Sequence, residues 1–106
     1  IAAKQYVPDT KTVLKTVTEF QSMDEVSGTA ALLQLVQEAA AECNLPQPTA
    51  KAVGGGSDSA YATVAGVPTI CALGVQGVRN HTAEEFAVVD TLFSRCKLFA
   101  TIMLNI

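Results

Sequence analysis

The strongest constraint on the fold comes from the stretch "SGTAALLQLVQEAAAECNLP", residues 27–46. Its apolar residues recur at intervals of three and four, which is typical of one face of an α-helix. These residues are Leu32, Leu33, Val36, Ala40 and Cys43. Ser27 or Thr29 can cap the start of this helix, and Asn44 and Pro46 end it. The pattern therefore predicts an amphipathic helix between these caps.

Three other stretches have the composition of β-strands. Residues 12–20, "TVLKTVTEF", mix β-branched and polar side chains and predict a strand with one solvated face. Residues 49–53 predict a short strand, and the apolar run "TICAL", residues 69–73, predicts a buried one. Strands that alternate with helices form βαβ units. The sequence therefore predicts an α/β fold with a parallel or mixed sheet.

Two further helices and a helical turn are predicted in the second half of the chain. Residues 57–65 indicate a helix that stops at Gly66, just before a proline. Thr82 with Glu85 three residues on fits a capping box for one turn of helix. Asp90 can cap a long final helix, for which we expect one apolar stripe. This stripe comprises Leu92, Cys96, Phe99, Met103 and Ile106.

Composition excludes several classes of protein. The net charge of -3 and the absence of a Lys/Arg cluster argue against a nucleic-acid partner. No apolar run reaches the roughly 18 residues of a membrane span. Cys43, Cys71 and Cys96 are widely spaced, without the CxxC pair of a zinc knuckle or redox centre. We expect them to be buried apolar side chains, and such free thiols predict a reducing, cytoplasmic location.

A glycine-rich segment, "GGGSDS" at residues 54–59, is the first candidate site. It lies between a predicted strand and a predicted helix, where bare backbone amides can bind an anion. It lacks the lysine of a Walker loop, and Ser59 occupies the last position of a dinucleotide fingerprint. Two interpretations remain open. One is a carboxylate site assisted by the Ser57 hydroxyl, and the other is a tight turn capped by Ser57 or Asp58.

The second candidate is His81, the single histidine of the chain, in the loop "VRNHTAEEF". A catalytic zinc takes three or more protein ligands, and the HExxH motif is absent. Ser57 and His81 might form a nucleophilic pair with Asp58 or Asp90. However, Asp58 stands where a GxSxG elbow requires glycine. Composition alone favours a solvated loop histidine.

Both candidate segments, residues 54–59 and residues 74–82, follow a predicted strand. In α/β sheets, functional groups collect in the loops beyond the carboxyl ends of the strands. This shared position is the physical indication that the two segments belong to one site.

Four short segments occur in a specific order: "GGGSD" at 54–58, "GVPT" at 66–69, "HTAEE" at 81–85 and "VDTL" at 89–92. Together they resemble the C-terminal part of the catalytic domain in two-zinc aminoacyl metallopeptidases and deacylases. This family includes glutamate carboxypeptidase, acetylornithine deacetylase and succinyl-diaminopimelate desuccinylase.

The resemblance implies a domain organisation. It extends over residues 24–106, which would be the C-terminal part of a zinc-peptidase-like catalytic domain, an α/β segment with alternating strands and helices. Residues 1–23 resemble the end of the family's inserted lid domain, or a linker strand.

The resemblance also implies a reaction and its site residues. The parent enzyme would hydrolyse a peptide or N-acyl amide bond next to a carboxylate, with two zinc ions or with cobalt or manganese instead. His81 would be the last of the metal ligands. Gly55, Gly56 and Ser57 would line the position of the substrate carboxylate, and Arg79 would meet substrate or solvent.

The remaining ligands and the catalytic glutamate would come from the N-terminal half of the same catalytic domain. Residues 1–80 contain no H-x-D motif. We therefore expect no catalytic residue in this segment, an inactive isolated chain, and exposed apolar surface that promotes self-association. A small peptide or N-acyl amino acid would be the substrate, and dimerisation of the parent stays open. The alternative is a stand-alone α/β interaction or regulatory module that kept the fold and lost the chemistry.

Overall fold

A computed structural model describes residues 6–106 and contains three helices and one small sheet. The elements are α1 (Thr29–Glu42), α2 (Ser59–Val64), β1 (Gly77–Val78), β2 (Phe86–Ala87) and α3 (Val89–Leu104). This mixture of helix and strand confirms the predicted α/β class, although the strands are not those that the sequence predicted.

The start of α1 depends on a glycine rather than on a polar cap. Gly28 precedes the helix with φ 94°, and no side chain caps it, so the predicted cap at Ser27 is wrong. Thr29 is the first helical residue, and its Oγ1 accepts a hydrogen bond from the Val26 N–H at 3.1 Å. A Cβ at Gly28 would lie only 2.8 Å from Pro68 Cγ. The beginning of α1 therefore packs closely against the loop that follows α2.

The ends of α1 and α2 confirm the predicted stops at Asn44 and Gly66. Both residues adopt left-handed backbone conformations, with φ 57° and 81°. In each case the N–H of the next residue donates back to a carbonyl in the last turn, at 2.8 Å and 3.0 Å. This is the Schellman arrangement, which satisfies carbonyls that the helix leaves free.

The starts of the other two helices differ slightly from prediction. Helix α2 begins at Ser59, two residues later than the predicted start. Helix α3 begins at Val89, so Asp90 lies in its first turn instead of capping it. A carboxylate in this turn still interacts favourably with the helix dipole.

The core forms where α1 and α3 pack together. Leu98 of α3 and Val36 of α1 are the largest wholly buried side chains. They are joined by Ala39, Ala40 and Ile102, with Leu35, Leu45, Ile70 and Leu73 partly buried against them. Burial of each large aliphatic side chain contributes about 1.5–3 kcal/mol. This small cluster therefore stabilises the pairing of the two long helices.

The apolar stripe predicted for α3 does not face this core. Leu92, Phe99, Met103 and Ile106 are exposed, and so is Cys96. Helix α3 carries apolar side chains on more than one face, so periodicity could not identify the buried one. Leu98 and Ile102 pack against the alanines of α1 instead. The predicted stripe therefore remains an uncovered apolar surface.

The three predicted strands at residues 12–20, 49–53 and 69–73 are wrong. Within the described part of the chain, these segments pair with no other backbone. An extended segment becomes a strand only when its N–H and C=O groups bond to a neighbouring segment. The strands that do form are β1 and β2, an antiparallel pair in which Gly77 faces Ala87.

The chain is elongated. Its radius of gyration is 19.5 Å and its extents are 65 × 37 × 19 Å. A compact domain of this length would have a radius of about 13 Å. No helix within residues 6–106 combines the length and apolar character needed to cross a membrane.

Candidate functional site

The glycine-rich loop presents bare backbone to solvent. Gly54, Gly55 and Gly56 are exposed, and a Cβ added at either of the first two would meet no atom within 4 Å. Within residues 6–106, the N–H groups of these glycines donate no hydrogen bond. The loop thus offers a run of free donors to which an anionic group has unhindered access.

Ser57 holds the junction between this loop and α2. Its Oγ accepts a hydrogen bond from the Ser59 N–H at 3.2 Å, and its carbonyl accepts one from Ala60 at 3.0 Å. Asp58 occupies the N-cap position but makes no capping bond with its side chain. The turn interpretation of Ser57 is therefore supported. Because its hydrogen is not used in the bond from Ser59, the hydroxyl keeps one donor.

Cys71 lies beside this serine. The sequence did not predict this polar contact. Its Sγ is 3.1 Å from Ser57 Oγ. Hydrogen bonds from Ser57 and Ser59, with a smaller one from the Ala72 backbone, hold the pKa of the Cys71 thiol below its usual value. The expectation that Cys71 is buried is wrong, because it is exposed. Fourteen residues separate Cys71 from Ser57, so no local pattern could reveal the contact.

The other two thiols differ from each other in burial. Cys43 is buried as predicted, with its sulfur 3.3 Å from Thr101 Oγ1, whereas Cys96 is exposed. All three cysteines are free.

An aromatic pair, Phe20 and Tyr61, borders the glycine-rich loop. A Cβ at Gly56 would lie 3.4 Å from Phe20 Cδ1, so the ring rests directly against this glycine. The two ring centroids are 6.4 Å apart with an interplanar angle of 48°. Both side chains are more than half exposed, at 61% and 52%. Sequence reasoning placed Phe20 at the end of a strand and did not connect it with the loop.

The loop that carries His81 is held in an uncommon conformation. Arg79 and His81 have φ 60° and 65°, a region that is unfavourable by roughly 1–2 kcal/mol per residue without glycine. The Thr82 hydroxyl donates to the Arg79 carbonyl at 2.7 Å, and the Arg79 guanidinium forms an ion pair with Glu84. The His81 N–H donates to Glu85 Oε2 at 3.2 Å. These contacts fix the backbone, while the His81 side chain remains exposed.

The predicted capping box does not produce a helix. Thr82 Oγ1 accepts from the Glu84 N–H at 3.2 Å, one residue earlier than in a capping box. The Glu85 carboxylate reaches the His81 N–H rather than that of Thr82. The segment therefore forms consecutive turns, and the predicted helical turn is wrong.

The described residues around His81 do not form a complete metal site. Among the described residues, no three His, Cys, Asp or Glu side chains converge as a metal site. Glu84 and Glu85 are engaged within the loop, as described above. An exposed imidazole can still supply one ring nitrogen to a cation held mainly by other groups. Ser57 forms no hydrogen bond with His81 within residues 6–106, so the nucleophilic pair is not observed.

A groove of about 770 Å³ adjoins the histidine loop. Its walls come from β1 and the residues that precede it, from β2, from Asn80 and Glu85, and from Arg95 of α3. The groove lies between the histidine loop and α3, but His81 itself does not line it.

Residues 14–105 match Peptidase family M20/M25/M40. The match covers most of the chain, and the protein therefore belongs to this family. Members of this family are peptidases, which are hydrolases, and they are generally metal-dependent. No curated protein and no solved structure shows significant similarity to the chain.

Proposed function

We propose that the chain is the C-terminal segment of a zinc-dependent metallopeptidase or amidohydrolase that hydrolyses a peptide or N-acyl amide bond next to a carboxylate. The observation that carries this proposal is the conformation of the His81 loop, in a chain that belongs to this peptidase family. An exposed imidazole sits on a backbone in an unfavourable conformation that surrounding hydrogen bonds maintain. Such conformations cluster at functional sites.

In this proposal His81 supplies one ring nitrogen to the metal centre. The bound metal ions would activate a water molecule and polarise the scissile carbonyl. Glu85 fixes the backbone at His81 through the 3.2 Å hydrogen bond and thereby limits where the imidazole can reach. The other ligands and the general base are assigned to the N-terminal half of the catalytic domain.

The glycine-rich loop would receive the substrate carboxylate. The free N–H groups of Gly55 and Gly56 can bind its oxygens, and the Ser57 hydroxyl could add a third donor by giving up its contact with Cys71. Hydrogen bonds to a charged acceptor are roughly twice as strong as those between neutral groups. Donors without protein partners can make these bonds without first breaking others.

Arg79 would contact substrate only after an exchange of partners. Its guanidinium is paired with Glu84, and both side chains are largely exposed, at 59% and 72%. An exposed pair of this kind contributes at most about 1 kcal/mol. A substrate carboxylate could therefore replace Glu84 at little cost.

The large accessible surface of the chain supports the proposal that it packs against an N-terminal half of the catalytic domain. The accessible area is 8544 Å², whereas a compact protein of 11.1 kDa would expose about 5,700 Å². The excess includes the apolar stripe of α3. We infer that the N-terminal half covers this stripe, and that without it the isolated chain self-associates.

The test uses the protein at its natural full length, with zinc content and hydrolysis of N-acyl amino acids and dipeptides as readouts. His81→Asn is the informative variant because asparagine tolerates positive φ better than alanine does. We expect it to lose metal and to reduce kcat/KM by more than about 100-fold, since even outer partners of metal ligands are worth 10–100-fold.

Arg79→Asn is the matched control, because it changes a neighbouring positive-φ residue that is not a proposed ligand. It should retain both metal ions. Unchanged zinc content and rate in His81→Asn would refute the ligand assignment. A natural product with neither metal nor an N-terminal half would instead favour the non-catalytic module.

A further inference from the structure

We infer that Phe20 and Tyr61 form an apolar subsite for the side chain of the substrate residue that carries the carboxylate. This inference rests on the proposed carboxylate role of the glycine-rich loop and adds a substrate class to it. The subsite favours substrates whose carboxylate-bearing residue is aromatic or a large aliphatic one.

The placement of Phe20 is the first argument. Its ring lies against Gly56, the last of the three glycines whose backbone donors are free. A carboxylate bound to these donors would bring its own α-carbon, and the side chain attached to it, next to the ring. Polar and apolar recognition elements are therefore adjacent, as a molecule with both groups on one carbon requires.

The exposure of the pair is the second argument. The rings are inclined at 48° with centroids 6.4 Å apart, so they meet without covering each other. More than half of each side chain remains accessible. Aromatic side chains dominate binding surfaces because they bring large apolar area with few rotatable bonds. An apolar side chain that enters beside them would remove this area from water.

The nearby charge restricts the substrate class. Asp58 lies two residues after Gly56 and is exposed, so an acidic substrate side chain would add a second negative charge to the carboxylate that already lies near this aspartate. No basic side chain forms an ion pair with Asp58 in the described part of the chain. An apolar side chain avoids this repulsion. A large one also buries more apolar area against the two rings than a small one does.

The experiment measures binding by calorimetry, using the natural full-length protein and two probes whose sulfonamide an amidohydrolase does not cleave, N-methanesulfonyl-L-phenylalanine and N-methanesulfonyl-L-alanine. We expect the phenylalanine probe to bind about tenfold more tightly, in line with the worth of aromatic contacts plus apolar burial. Phe20→Ala should reduce this ratio to within about twofold, and Phe20→Leu should restore part of it.

Two further variants separate the subsite from general effects on folding. Tyr61→Ala alters the other ring from a different structural element and should also reduce the ratio. Val17→Ala is the matched control, because Val17 lies three residues before Phe20 in the chain and is 82% exposed. It should leave the ratio unchanged.

Retention of the phenylalanine preference in both Phe20→Ala and Tyr61→Ala would overturn the inference. So would tighter binding of Nα-methanesulfonyl-L-lysine, which would indicate a site for cations, or no binding of either probe by the unaltered protein. Metal content and hydrolysis are separate readouts. If His81→Asn retained its metal and its rate while the preference still depended on Phe20, the metal-ligand assignment would fail and the subsite would stand.

Discussion

Replacement of Gly28 by alanine should destabilise the protein more than the same change at Gly66. Both glycines have positive φ, 94° and 81°. An alanine in this region costs about 1–2 kcal/mol. At Gly66 the added Cβ meets no atom within 4 Å, so Gly66→Ala should cost only this amount. It is therefore an internal reference for backbone strain.

At Gly28 a second cost is added. The Cβ would lie 2.8 Å from Pro68 Cγ, well inside the favourable carbon–carbon separation of about 3.5–4.0 Å. Overpacking of this kind typically costs about 1–3 kcal/mol. We therefore expect Gly28→Ala to reduce the free energy of unfolding by about 2–5 kcal/mol.

Urea unfolding of the full-length protein, followed by circular dichroism, measures these differences at constant m. Pro68→Ala removes the Cγ atom, so the double variant Gly28→Ala/Pro68→Ala should recover about 1–3 kcal/mol relative to the sum of the single variants. Equal losses in the two glycine variants, or a double variant without recovery, would refute the proposed contact between Gly28 and Pro68.

Two other predictions concern the core and the thiol beside the glycine-rich loop. Leu98→Ala should destabilise the protein by about 2–5 kcal/mol, because Leu98 is wholly buried, whereas Lys97→Ala on the exposed face should change unfolding by less than about 0.5 kcal/mol. Ser57→Ala should raise the pKa of Cys71 by removing the largest of its hydrogen bonds, and Ser59→Ala should do so less. The pH profile of iodoacetamide labelling would then shift to higher pH, and an unchanged profile in Ser57→Ala would contradict the assignment.

The helices could be predicted from the sequence because their signals are local. The stops at Asn44 and Gly66 depend on residues that adopt left-handed conformations, and the hydrogen bonds that follow span only one turn. The first residue of α1 was harder to predict. Its position depends on Gly28 fitting against Pro68, a contact across 40 residues that no capping rule contains.

The strands and the buried face of α3 could not be predicted for a related reason. Residues 12–20 have the composition of a strand, but a strand also needs a paired neighbour, which the described residues do not provide. Leu92 and Leu98 are equally apolar, and their burial is decided by the surface of α1. Composition shows which secondary structure a segment can adopt, but the segment packed or paired against it decides which structure and which buried face it has.

The candidate site shows the same division between local and distant information. The turn at Ser57 and the exposure of His81 follow from neighbouring residues, whereas the contacts of Phe20 with Gly56 and of Cys71 with Ser57 join distant parts of the chain. The roles proposed for Gly55, Gly56, Ser57, Arg79 and His81 stay predictions. The hydrogen bonds within residues 6–106 explain how His81 keeps its uncommon backbone, but they give its imidazole no partner. A conformation maintained at an energetic cost, with an exposed side chain that the described residues do not use, is the reason for proposing that His81 serves a metal centre completed by another part of the protein.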